Sequence, residues 1–357
     1  MSELRINNIT DRAGSSGPII AGVSTVTSTS HMVMPSGPTE MRGGRGRAVF
    51  MGSYNIPSPY RSVHMDLIEI ATTGDATDFG DLTLRRSPTA VGSVTRGVAA
   101  GGADPSLISK IDFTTISSLG GANDFGDLQE SRRSMSSMGN QTRGLVRGGV
   151  ISDPATLTKT IESVTIASVG DSSDFGDASV QQRSTGSTAN STRGLTVGGF
   201  DNINSSASAP DKIINFLNIQ SFGEEQKFGD LFTGGYGISA CSSNTRAVFA
   251  GGAVYVPSPG AYTESNQIQF VTIATQGNTT DFGDLTEAKL STNATSNNVR
   301  AVIAGGFGDS PLNNATNIIE FITIASTGDA QDFGDLTEKR YAIGNPLTSD
   351  SHGGLGD

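Results

Sequence analysis

Nucleophiles, bases and metal ligands are sparse in this chain and do not converge. The three histidines, His31, His64 and His352, lie far apart, and no two share a ligand spacing. A metallo-oxidase needs a Tyr, His and Cys set, and none assembles around the single cysteine, Cys241. No pattern favours a Ser-His-Asp triad. The Asp-Phe-Gly strings lack the Gly-rich loop, the lysine and the catalytic loop of a kinase. One acidic spacing recurs: Asp75, Asp78 and Asp81; Asp171, Asp174 and Asp177; Asp329, Asp332 and Asp335. Carboxylates on a turn are the oxygen ligands that a hard cation such as calcium takes. The spacing decays elsewhere, where Asn278 precedes Asp281 and Asp284, and Lys227 takes the middle place of another copy. Turn formation and Asp–Arg pairing account for the same residues without metal. The expectation is a non-enzymatic chain with no cofactor and no metal.

The elements that hold these residues repeat. Phe-Gly-Asp occurs at residues 79–81, 125–127, 175–177, 228–230, 282–284 and 333–335. A period of about 50 residues marks a repeat architecture. A catalytic group is needed once and a packing unit in every copy, so function is to be sought where the copies differ. Each copy also has an Arg opening a short apolar run that ends in Gly: Arg47, Arg96, Arg143, Arg193, Arg246 and Arg300. A third landmark is a β-branched and aromatic run, clearest at residues 268–273 and 319–324. These runs are too short for helices and are bounded by turn-forming Gly, Asp, Asn and Thr. A unit therefore reads as four strands: a small-residue strand, the Arg-to-Gly-Gly strand, the Ile-Glu-Phe strand and the Phe-Gly-Asp strand.

Near-continuous apolar character in the middle strands implies cover on both faces. Blades stacked in a ring have that property, and small residues suit its crowded centre. A solenoid would expose two sheet ends, and no polar capping repeat is present to cover them. The fold expected is all-β, a six-bladed β-propeller over residues 41–357. The run 341–344 should complete the blade that contains Arg47 and Phe79, because closure removes exposed edges. A recurring Arg before a buried strand needs an acceptor. At least some of Arg96, Arg143, Arg193, Arg246 and Arg300 are therefore expected to pair with Asp127, Asp177, Asp230, Asp284 or Asp335.

The strand order, with Gly-Gly at 101–102, 148–149, 198–199, 251–252 and 305–306, resembles the kelch repeat. An Arg before the small strand is also kelch-like, as at Arg86, Arg133, Arg183 and Arg340, with Lys289 replacing it once. The Trp usual in the last kelch strand is missing, and Phe of Phe-Gly-Asp would take its place. A second resemblance is to structural proteins of tailed bacteriophages, particularly those of marine cyanobacteria. Residues 323–337, the start 1–9 and the segment 35–44 carry it. It implies a virion component, of fibre, knob or decoration type.

Composition narrows the partners. A formal net charge of −11 over 357 residues disfavours a nucleic-acid footprint. No stretch has the roughly 18 apolar residues that span a bilayer. Residues 1–40 lie outside the repeat, have short strand-like runs, and form a candidate anchor to another virion protein. The connection after Gly-Gly varies most, and carries Tyr54 and Tyr60 in one copy and Tyr255 and Tyr262 in another. Loops on a rigid scaffold are where binding resides, and Tyr supplies contact area at low entropic cost. These tyrosines are the candidate binding residues, toward a host-surface glycan or protein, and a homo-oligomer stays open. The competing reading is a carbohydrate-active or receptor-degrading propeller enzyme of the virion; a glycosidase would need paired carboxylates in one pocket.

Overall fold

Four short strands per repeat, each stopped by Gly, Asn or Thr, fold back on one another as antiparallel sheets. The computed structural model describes residues 46–55, 61–152, 156–201, 211–256, 261–308 and 314–355. Six small antiparallel sheets stand in a ring, making a six-bladed β-propeller. In blade two the strands run outward as Thr89–Gly92, Arg96–Ala100, Lys110–Thr115 and Asn123–Asp127. Blades three to six repeat this order from inner strands Ser136–Gly139, Gly186–Ala189, Ser239–Ser242 and Asn293–Ser296.

Blade one closes the ring from both parts of the chain. Its inner strand is Leu347–Ser349, in register with Ala48, Val49 and Phe50 of the strand Arg47–Asn55. Closure is as expected, but the closing strand lies a few residues beyond 341–344. Arg340–Tyr341 instead pairs with Tyr54 and Asn55, farther along the same partner strand. The seam also copies a turn. In other blades an Asn or Ser ends the inner strand and caps the next: Asn140 Oδ1 accepts the Thr142 and Arg143 N–H groups at 3.0 and 2.9 Å. At the seam Asp350 Oδ1 accepts the Gly46 and Arg47 N–H groups at 3.0 and 2.9 Å.

Phe-Gly-Asp joins one blade to the next. In blade two Ile111 faces Gly126 and Asp112 faces Asp124, so Phe125 is the extra residue of a β-bulge. A bulge re-aims its extra side chain. All six of these Phe rings are only 2–3% exposed, each stabilising the fold by about 2 kcal/mol. Gly126 has φ +148°, and a Cβ there would sit 2.5 Å from the Gly170 carbonyl oxygen of blade three. That approach is needed because Gly170 N–H donates to Phe125 O at 2.7 Å and Ser172 N–H to Asp127 O at 2.9 Å. At the seam, Gly74 donates to Phe333 O and Ala76 to Asp335 O, both at 2.8 Å. Each outer edge is thus covered by the following blade's turn, which blocks edge-to-edge pairing with other chains.

Candidate functional site

Most charged side chains of the interior are committed to holding blades together. Four cations before inner strands pair with an acid on the third strand of the same blade. They are Arg86 with Asp112 at 2.9 Å, Arg132 with Glu162, Lys289 with Glu320, and Arg340 with Asp66 at 3.2 Å. All these side chains are at most 1% exposed. Each acid also reaches back to the preceding blade: Asp112 accepts from Thr83 N–H and Oγ1 at 3.2 and 2.7 Å, and Asp66 from Thr337 at 3.0 and 2.6 Å. Burial pulls the Arg86 pKa down, opposed by Asp112, and lowers Arg132 to about 10, so Arg132 stays cationic at neutral pH. Where the cation is absent, so is the acid: Gln182 stands with Asn215, and Gly235 with Gln269. The neutral fourth blade is tied instead by Arg147 of blade three, bidentate to buried Glu225 at 2.7 and 2.8 Å.

In two copies the buried position lies one residue before the Arg expected from the sequence. Arg133 and Arg183 follow the buried positions, occupied by Arg132 and Gln182, and are partly exposed. The signal was present in the third strand, where the residue after Ile or Met is Asp or Glu whenever its partner is cationic.

The expected pairing of Arg with the Asp of Phe-Gly-Asp is not what the structure shows. Arg96 lies opposite Thr115 at one end of the third strand, while Asp127 lies opposite Lys110 at the other. The same register separates Arg143 from Asp177, Arg193 from Asp230, Arg246 from Asp284 and Arg300 from Asp335. Each guanidinium instead donates to the next blade, to the carbonyl of Ile166, Ile219, Ile273, Ile324 or Ile70, at 2.6–3.1 Å. The three-residue Asp spacing also has a backbone cause. Asp171, Asp329 and Asp75 Oδ1 accept the N–H of Asp127, Asp284 and Asp335 at 2.9–3.0 Å.

The channel at the ring's centre is filled by the chain itself. Its cavity is only about 40 Å³, room for a water or two. Ser137, Ser187, Ser242, Ser296 and Ser349 each donate a hydroxyl to the preceding blade's inner strand, at 2.6–2.7 Å. At one end Asn345 holds Ala294 through both side-chain atoms, at 2.9 and 3.1 Å, and accepts Ala90 N–H. At the other, His352 Nε2 donates to Gly92 O at 2.8 Å while Nδ1 accepts Gly354 N–H at 3.1 Å. These partners assign a neutral ring. Cys241 lines the cavity, and burial pushes its thiol up to about 12, so it stays protonated and inert.

Burial also lowers the His352 pKa below its ordinary 6.5. Between the folded value and 6.5 the unfolded chain binds more protons. Stability is therefore complete above 6.5 and falls as pH drops through that window. Melting curves from pH 7 to pH 5 should show a shallower acid slope for His352→Gln than for wild type. Equal slopes would show that His352 does not carry this dependence.

The described candidate tyrosines gather in two aromatic patches on one face. Tyr54 stacks on Tyr341 at 5.3 Å, Phe307 packs on Tyr341 at 5.4 Å, and Arg61 lies 5.0 Å from the Tyr54 ring. Tyr255 and Tyr262 pair across the hairpin Ala253–Val256 and Ala261–Glu264, rings 5.4 Å apart. Tyr262 also meets Tyr236 at 5.4 Å and Phe200 at 5.7 Å, with Arg183 over Phe200 at 5.1 Å. Burial raises the pKa of Tyr236, Tyr262 and Tyr341, so their phenols stay neutral donors. Tyr60 and residues 1–40 lie outside the described residues. Tyr236, Tyr341, Phe200 and Phe307 were missed in the sequence. The residue after the buried cation position pairs with the one after Gly-Gly, as Arg183 with Phe200, Leu290 with Phe307 and Tyr341 with Tyr54. These are variable residues at a fixed place.

No family model and no curated protein match the chain. A solved structure described as "Structure of YjhT" is similar to it. The TM-score is 0.60 at 12% identity, over 76% of this chain and 91% of that one. At that identity the likeness establishes the propeller alone.

Proposed function

We propose that this chain is a non-enzymatic structural protein of a phage particle, in which a rigid propeller presents aromatic loops to another virion protein or the host surface. The observation that carries the reading is the filled channel. The natural concavity of the ring is occupied by Asn345, His352 and Gly354 of the same chain. Small-molecule sites are concave, and here the buried acids Asp66, Asp112, Glu162, Glu225 and Glu320 are held in ion pairs within or between blades. What varies from blade to blade is the segment after Gly-Gly, which carries the partly buried Tyr54, Tyr255, Tyr262 and Phe307. Placement in a virion is supported by the resemblance of the repeat and of residues 1–9 and 35–44 to phage structural proteins. In this reading residues 1–40 attach the propeller to the particle.

The test is incorporation. Mass spectrometry of purified particles should find the full chain. A form lacking residues 1–40 should remain soluble and folded but be absent from particles. Normal incorporation of the shortened form would move the attachment site onto the propeller.

A further inference from the structure

Blade three departs from the repeat at Ser163, and the groove beside its third and fourth strands is larger there, about 330 Å³ against about 230 Å³ at the equivalent place in blade six beside Phe321. In blades two, four, five and six the third strand carries Phe113, Phe216, Phe270 and Phe321. Each meets its own blade's Phe-Gly-Asp ring edge-on at 5.8–6.0 Å, with the landmark Arg 4.3–4.8 Å above it. In blade three this residue is Ser163. Phe175 then has no ring partner in its own blade and is met at 5.2 Å by Phe222, from a turn of blade four. Arg143 swings between Phe175 and Phe222, 5.4 and 5.3 Å from the two rings.

Phe222 does not refill the space, since it is 67% exposed. A cleft of about 330 Å³ remains, lined by Ser163, Thr165 and Ser173, by Arg143 and Asp171, and walled by Val169 and Phe222. That volume is at the lower end of what small-ligand pockets occupy. The fold does not require the wall. At the place of Phe222 the other turns have Thr73, Leu119, Val169, Gln276 and Thr327 on the same backbone.

We propose that this cleft binds a neutral saccharide. Phe222 has one face held by Phe175 and Arg143, which leaves the other for the C–H face of a sugar ring. The Ser163 and Ser173 hydroxyls share a hydrogen bond at 3.1 Å, and with the Thr165 hydroxyl they keep capacity to donate and accept, as a polyol requires. Asp171 gives Oδ1 to Asp127 N–H and keeps Oδ2; Arg143 gives Nη1 to Ile219 O and keeps its other nitrogens. One carboxylate beside one guanidinium recognises vicinal hydroxyls without selecting for ligand charge. The cleft opens at the end of the blades where third and fourth strands connect. The tyrosine patches leave from the opposite end, so this site goes beyond the loop surface proposed above.

The test is titration of the full-length protein with maltohexaose, cellohexaose and mannohexaose by calorimetry. Saturable binding of at least one is expected. Ser163→Phe, which restores the repeat's own ring, and Phe222→Ala should each weaken it roughly tenfold or more, at an unchanged melting temperature. Leu119→Ala, on the equivalent exposed turn of blade two, should bind as wild type. No saturable binding of any of the three sugars up to about 10 mM, or equal affinity in Phe222→Ala, overturns the proposal. Loss of particle incorporation in Ser163→Phe without sugar binding by wild type would assign the cleft to a protein partner and overturn it as well.

Discussion

Arg86→Leu should destabilise the propeller by about 3–5 kcal/mol, because it strands a buried carboxylate. Asp112 is fully buried, and its charge partner at 2.9 Å would be gone. The Thr83 N–H and hydroxyl would still donate to it, which is too little to hold a bare charge in the interior. The double change Arg86→Gln with Asp112→Asn should recover most of the loss. Replacing both members of a buried pair removes the desolvation cost with the attraction. The chain already contains such neutral positions, Gln182 with Asn215 and Gly235 with Gln269. Urea titrations of wild type, Arg86→Gln, Asp112→Asn and the double variant form a double-mutant cycle. A single variant as stable as wild type, or a double variant no better than the single, would refute the role given to the pair.

Ending the chain after Ile343 should have the larger effect, loss of cooperative folding. The deletion removes Asn345, the inner strand of blade one, the Asp350 cap and the His352 closure together. Buried Leu347 alone accounts for about 2 kcal/mol of apolar burial, and each lost backbone hydrogen bond adds roughly 1 kcal/mol. Blade one would be left with an unpaired edge, which invites aggregation. Circular dichroism and gel filtration should show a poorly folded, associating chain. A synthetic peptide of residues 344–357 added in trans should restore a single melting transition. A truncated chain with wild-type melting behaviour would show that the ring does not depend on closure.

Blade number and strand order were readable from sequence because each landmark answers a backbone demand repeated six times. Phe-Gly-Asp needs a ring in a bulge, then a residue without Cβ where the next blade's turn presses in. Pairing was read less well, because charge alone chose the partners. Arg96 and Asp127 attract on paper, but strand direction places them at opposite ends of a blade, five or so residues and about 16 Å apart. The true pairs, from Arg132 with Glu162, 30 positions apart, to Arg340 with Asp66, 274 apart, join residues whose meeting depends on the fold. Of the candidate loops, Tyr54, Tyr255 and Tyr262 do sit in aromatic patches. The cleft at Ser163 was hidden for a different reason. A missing Phe inside an otherwise regular strand attracts notice only once the other four rings are seen to pack alike, each against its own blade's Phe-Gly-Asp ring.

Host envelopes test most directly the proposal that this propeller binds without chemistry. Purified full-length protein, incubated with envelopes or with purified virion partners, should be retained while the soluble fraction gains no sugar. Replacing Tyr54, Tyr255 and Tyr262 with Ala should reduce retention without changing the melting temperature. Time-dependent release of saccharides, proportional to protein added, would contradict the account and make this propeller an enzyme.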